Sequence, residues 1–83
     1  MLTVSVVSPE RTLYEGEAES IVAPAFDGQV GILTNHAPML TLLGTGELRL
    51  KASGGERKFT VSGGFLEVAD NRVRVVTERA EGG

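Results

Sequence analysis

Glu47-Leu48-Arg49-Leu50-Lys51-Ala52-Ser53-Gly54-Gly55 decides the fold of this 83-residue chain. Leu48, Leu50 and Ala52 alternate with Glu47, Arg49 and Lys51. Successive side chains of a strand point to opposite faces, so this run has one apolar face and one charged face. Ser53-Gly54-Gly55 supplies residues that tolerate positive φ and turns the chain. Beyond the turn, Phe59 and Val61 alternate with Lys58, Thr60 and Ser62. Gly44-Thr45-Gly46 opens the first strand of this pair.

The same period of two recurs on both sides. Leu2, Val4 and Val6 share a face opposite Thr3 and Ser5, and Ser8-Pro9 closes that strand because proline cannot donate to a ladder. Ala18, Ser20 and Val22 are assigned to one face, with Glu17, Glu19 and Ile21 on the other. Leu66 and Val68 share a face opposite Phe65, and Phe59 and Phe65 are expected in the core. Val73 and Val75 alternate with Arg72 and Arg74, after a tight hairpin at Asp70-Asn71. Gly63-Gly64 reads either as a turn or as a bulge where two backbones approach closely. No segment carries a helical stripe. His36 to Leu43 has room for one helical turn, with Pro38 at its first position. The expectation is an all-β fold, an antiparallel sandwich or flattened barrel over residues 1–80, with Glu81-Gly82-Gly83 as a loose end.

Composition narrows the function. The length is room for one small domain with a thin core. There are no cysteines, which excludes disulfides and thiolate zinc sites. No apolar run approaches the ~18 residues of a membrane span. Met1 to Val7 lacks the basic flank and cleavage site of a signal peptide, so a soluble protein that stays where it is made is expected. A net charge of −3 argues against a nucleic-acid binder held by phosphates. Before His36 the acids are Glu10, Glu15, Glu17, Glu19 and Asp27, against the single base Arg11. That asymmetry is either ordinary solvated strand faces or a steering field for docking.

Chemistry finds little purchase. His36 is the only histidine. Asp27 is available to orient it, but no serine sits in a nucleophile elbow, so no catalytic residue is assigned. Glu15, Glu17 and Glu19 alternate and can point to one side. A solvated acidic edge that discourages edge pairing explains them better than a metal site. No glycine pattern matches a phosphate loop or a dinucleotide fingerprint. No cofactor and no metal is assigned. What remains is Pro24 to Thr41, a long stretch of small and apolar residues around Asp27-Gly28-Gln29, read either as a connection between sheets or as a functional loop.

Three segments resemble one known family. Val7-Ser8-Pro9-Glu10 with Leu13-Tyr14-Glu15-Gly16-Glu17 is similar to the opening of epsilon subunits of F-type ATP synthases. Gly28-Gln29-Val30-Gly31-Ile32-Leu33 and His36-Ala37-Pro38-Met39-Leu40-Thr41 resemble that family's central signature. Lys58-Phe59-Thr60-Val61-Ser62-Gly63-Gly64-Phe65-Leu66-Glu67-Val68 resembles its third. Their order and spacing cover nearly the whole chain.

The resemblance implies a ten-stranded sandwich of two sheets at the foot of a rotating central stalk. It implies a non-catalytic accessory subunit that packs on the gamma subunit, rests on the polar loops of the membrane c-ring and helps couple proton flow to ATP synthesis. The site would be peripheral, on the cytoplasmic face of a bacterial cell membrane or an equivalent energy-transducing membrane such as the thylakoid. By the same resemblance Ser8, His36, Thr41 and Ser62 face gamma, and Asp27, Gly28, Gln29 and Val30 meet the c-ring. The family has glycine where this chain has Asn35, and asparagine also tolerates the left-handed conformation. The family also continues into a C-terminal pair of helices that carry an inhibitory latch and, in some members, ATP binding. This chain stops soon after Ala80, so the expectation is coupling without inhibition and no bound nucleotide. The competing reading is a free-standing ligand-binding β-sandwich module. Such modules present exposed aromatics as stacking platforms, whereas this chain has no tryptophan and only Tyr14, Phe26, Phe59 and Phe65.

Overall fold

In the first strand, β1 (Leu2–Val7), Leu2, Val4 and Val6 are fully buried while Thr3 is exposed, as the period of two requires. The computed structural model describes residues 1–82, and the same alternation recurs through most of its strands. These are β2 (Thr12–Ala18), β3 (Ser20–Ala25), β4 (Gly28–Leu33), β5 (Met39–Leu42), β6 (Thr45–Ala52), β7 (Gly55–Ala69) and β8 (Arg72–Gly82). The fold is all-β, as the pattern predicts.

The strands follow one hydrogen-bonded path, β2-β1-β8-β7-β6-β3-β4, with β5 attached to β7. The path folds over into two layers because β7 and β8 are long enough to serve both. The first half of β7 pairs with β6, from Thr45↔Ser62 to Ala52↔Gly55. Its second half pairs with β5, from Leu42↔Phe65 to Met39↔Val68. β8 divides in the same way: Arg72 to Val76 lie beside β1, while Arg79 to Gly82 pair only with the first half of β7. The first layer therefore runs β2-β1-β8-β7-β5, and the second runs β8-β7-β6-β3-β4. Eight strands are present where ten were expected. β7 and β8 are each unbroken and take part in both layers, which accounts for the smaller number. The sheet is not wholly antiparallel either. β1 runs parallel to β8, with Val4↔Val73 and Val6↔Val75 in register.

The bend falls at Gly63-Gly64. Both glycines have positive φ, 72° and 105°. Partner numbers along β7 and β8 stay in one register from Phe59↔Gly82 to Ala69↔Arg72, so this is neither a turn nor a bulge. The close approach of backbones is real: a Cβ on Gly64 would collide with the Val76 carbonyl. At the far end the β7–β8 hairpin is closed by Asp70 and Asn71, at φ 50° and 60°. Two successive left-handed residues define the type I′ turn that suits the twist of the flanking strands.

The core lies between the layers. Leu66, Val68, Val73 and Val75 meet Ile21, Ile32, Leu48, Leu50, Phe59 and Val61, and Leu43 closes one end. Three expectations need correction. Glu19 forms a bend between β2 and β3, so the facing resets: Ile21 and Ala23 are buried, and Ser20 and Val22 are not. The segment after Pro38 is strand rather than a helical turn, since the edge of β7 offers it backbone partners that a lone turn would lack. Phe65 is half-buried and faces outward. The C-terminal end also differs, because Glu81 and Gly82 pair with Thr60 and Phe59 instead of hanging free; Gly83 lies outside the described residues.

Candidate docking surface

The outer side of the first layer is built by the residues that alternate with the core. Cross-strand register places them in rows. Leu42 lies opposite Phe65, Phe65 opposite Val76, and Val76 opposite Val7. The row gains a further member from the β3–β4 hairpin. Ala25 bridges Leu43, the Phe26 amide donates to the Leu42 carbonyl at 3.1 Å, and the Gly44 amide donates to the Pro24 carbonyl at 2.8 Å. Phe26 is thus seated directly across from Leu42 on the outer side, while Leu43 turns inward. Neighbouring strands are ~4.8 Å apart, so Phe26, Leu42, Phe65, Val76 and Val7 span roughly 19 Å. Phe26 and Leu42 are 68% and 62% exposed. The next row, Leu40-Glu67-Arg74-Ser5, is mixed in charge apart from Leu40.

The residues assigned to gamma fall in different places relative to this row. Ser8 follows Val7 in a turn, its amide donating to the Arg11 carbonyl at 2.9 Å. Ser62 lies near the other side of the bend, its hydroxyl 3.0 Å from that of Thr45. Ser8, Thr45 and Ser62 line one polar concavity with Arg11, Glu78 and Arg79. Thr41 sits on β5 between Leu40 and Leu42, half-buried on the opposite side of the strand. His36 is separate from Ser8 and Ser62. Its amide donates to the Leu33 carbonyl at 3.1 Å, and Nδ1 lies 2.7 Å from the Ala37 carbonyl, which places the proton on Nδ1. It belongs to the end of the domain where Asn35 contacts Asn71. So the structure brings Ser8 and Ser62 together, sets Thr41 on the neighbouring strand, and leaves His36 at the opposite end.

The residues assigned to the c-ring form one unit. Phe26 and Asp27 are the two-residue loop between β3 and β4, and Gly28, Gln29 and Val30 begin β4 in register with Ala25, Pro24 and Ala23. Asp27, Gly28 and Gln29 are exposed, and Val30 is half-buried. Gly44 fixes the loop from below: a Cβ there would stand 2.7 Å from the Ala25 carbonyl, so only glycine lets the β5–β6 corner close on the hairpin.

No group of His, Asp and Glu side chains able to hold a metal exists among the described residues. Glu15 and Glu17 are exposed on β2, the edge of the first layer, and Glu19 is exposed at the bend that follows it. The outer side of the second layer carries Glu47, Arg49, Lys58 and Glu56. Its ion pairs are Arg49–Glu47 at 3.6 Å and Lys58–Glu56 at 3.7 Å, both well exposed. One outer side is charged and the other carries the apolar row. Sequence reading missed the row because each strand contributes only one residue to it, and only the register joins them. No helix is long and apolar enough to cross a membrane.

Comparison with known proteins agrees with this geometry. The family described as "ATP synthase, Delta/Epsilon chain, beta-sandwich domain" matches residues 1–83. An ATP synthase epsilon chain from a Synechococcus strain is 48% identical over 82 residues, covering 99% of this chain and 60% of the relative. The epsilon chain of Brevibacillus brevis is 46% identical, covering 96% and 61%. The chloroplastic epsilon chain of Emiliania huxleyi is 43% identical, covering 99% and 63%. The chain thus spans about three-fifths of the length of these curated relatives. Among solved structures, a chain of the Euglena gracilis mitochondrial ATP synthase superposes with TM-score 0.89 at 24% identity, over 98% of this chain and 52% of that one. A chain from the Tetrahymena thermophila mitochondrial ATP synthase central stalk and c-ring gives 0.80 at 18%, over 98% and 66%. At these identities the structural likeness speaks for the fold. With the family model matched from end to end, the chain belongs to the ATP synthase delta/epsilon family and comprises its β-sandwich domain.

Proposed function

We propose that this domain is the docking part of a central-stalk epsilon subunit in a proton-translocating F-type ATP synthase. It is non-catalytic, joins gamma to the c-ring, and helps couple proton flow to ATP synthesis. The observation that carries this reading is the apolar row on the outer side of the first layer, in a chain of this family. A patch of this kind on a small soluble domain marks a partner surface. Ser8 and Ser62 border it, which suits a polar rim beside an apolar centre, while Thr41 lies on the inner side of β5. His36 extends the gamma contact toward the Asn71 end, and Asp27, Gly28, Gln29 and Val30 offer a projecting tip to the c-ring loops. The domain needs no membrane-crossing element for this role and would sit peripherally, on the cytoplasmic face of a bacterial membrane or its thylakoid equivalent. It binds no cofactor in that role. Co-purification tests the reading: tagged chain should retain gamma and c-ring from detergent-solubilised membranes of its source. Retention of neither would overturn it.

A further inference from the structure

We infer that Leu42 is shared by both docking contacts, so that gamma and the c-ring loops meet over one composite apolar row instead of occupying two separate sites. This rests on the function proposed above and specifies how its two surfaces relate. The sequence separates them, since the tip assigned to the ring lies at Asp27 to Val30 and most gamma positions lie at Thr41, Ser62 and Ser8. The fold removes that separation. Phe26, at the tip, is held across from Leu42 by the 3.1 Å hydrogen bond and by the Ala25–Leu43 bridge. On its other side Leu42 is in register with Phe65. No polar residue intervenes, and adjacent members of a row stand ~5 Å apart. A partner atom packed on Phe26 therefore reaches Leu42, and so does one packed on Phe65.

Exposure supports the assignment. Leu42 is 62% exposed although both lateral neighbours are apolar. Its uncovered surface lies between Phe26 and Phe65. Leu40 is as exposed at 69%, but it is paired with Glu67 in the charged row and does not adjoin the hairpin. Leu33, 65% exposed, lies on β4 opposite Ser20 at the other end of the hairpin. These two residues provide matched controls.

The experiment measures binding of the purified chain to purified gamma and, separately, to purified detergent-solubilised c-ring. Leu42→Ser and the milder Leu42→Ala should weaken both, with the serine variant losing about tenfold for each partner, the scale of one well-covered leucine. Phe26→Ser should weaken the c-ring complex by a similar factor. Leu40→Ser should leave c-ring binding within about twofold, and Leu33→Ser should leave both within about twofold, a range too small to signal a lost anchor. Thermal unfolding of each variant verifies that these surface changes leave the fold intact. An effect of both Leu42 variants on one partner alone, with the unsubstituted chain binding both, would overturn the shared row and leave the proposed function standing. An equal loss in Leu33→Ser would also overturn it. Failure of the unsubstituted chain to bind either partner would overturn both readings together.

Discussion

The backbone amide of Asn35 donates to the side-chain oxygen of Asn71 at 2.6 Å, and the Asn71 amide group returns a longer bond of 3.3 Å to Asn35 Oδ1. Both residues are left-handed, at φ 67° and 60°. The pair ties the loop before β5 to the hairpin that closes β7 and β8, across 36 residues of sequence. Replacing Asn71 with glycine keeps the backbone conformation accessible and removes the acceptor. It should cost about 1 kcal/mol in urea unfolding. Asn35→Gly retains the shorter bond, because the backbone makes it, and should cost less than about half as much. Equal costs would show that the pair holds through the side chain of Asn35 instead.

Gly64 is the least replaceable glycine in the bend. A methyl group there would enter the space of the Val76 carbonyl at φ 105°. Overpacking against backbone costs about 1–3 kcal/mol, and a strained φ for a residue other than glycine costs about as much again. Gly64→Ala should therefore lower the urea midpoint by more than any other single alanine substitution at a glycine outside the bend. Gly31→Ala, with nothing within 4 Å of the added carbon, should change stability by less than about 0.5 kcal/mol.

Thr77 is the buried polar side chain of the core, 1% exposed. Its hydroxyl donates to the Arg79 carbonyl at 2.8 Å, with the Ser62 carbonyl 3.4 Å away. This bond serves β8 where the strand passes from one layer to the other. Thr77→Val preserves the shape and leaves a carbonyl without its donor, for a loss of about 1 kcal/mol. Thr77→Ala also empties the space of a methyl group and should cost roughly 2 kcal/mol in total. Chemical denaturation of the two variants separates the hydrogen bond from the packing.

The charged outer side of the second layer contributes little to folding. Arg49–Glu47 and Lys58–Glu56 join neighbours on the same strand and are largely solvated. Exposed pairs of this kind contribute about 0–1 kcal/mol. Glu47→Gln should shift stability by no more than about 0.5 kcal/mol, and the shift should vanish in 1 M salt. Thermal melts of the variant at low and high salt check this.

Much of the fold was legible in the chain because one period of two governs it. Leu2, Val4 and Val6, Leu48 and Leu50, Leu66 and Val68, and Val73 and Val75 all face inward as their alternation indicates. Asp70-Asn71 announced its own turn. The misreadings share a cause, which is that register between distant strands leaves no local mark. Glu19 resets the facing of Ile21 only because β3 pairs with β6 and β4. The segment Met39–Leu42 becomes strand only because β7 has an edge to offer it. The parallel run of β1 beside β8 joins residues about seventy positions apart, beyond the reach of any turn signal. The candidate site was legible in part. Resemblance supplied the rim residues, and the apolar row they border emerged only once Phe26, Leu42, Phe65, Val76 and Val7 were set side by side.

β7 and β8 pass without a break from one layer to the other, closed by their hairpin at one end and bent at Gly63-Gly64. In a sandwich the two inner faces meet through interdigitating side chains. Here a sideways pull on Phe65 or Val76 is carried to Phe59 and Val61 through peptide bonds and an unshifted hydrogen-bond ladder. The two faces cannot slide past one another without breaking that ladder. The hydrogen-bond ladder thereby gives the two faces a covalent and backbone link that resists shear between them.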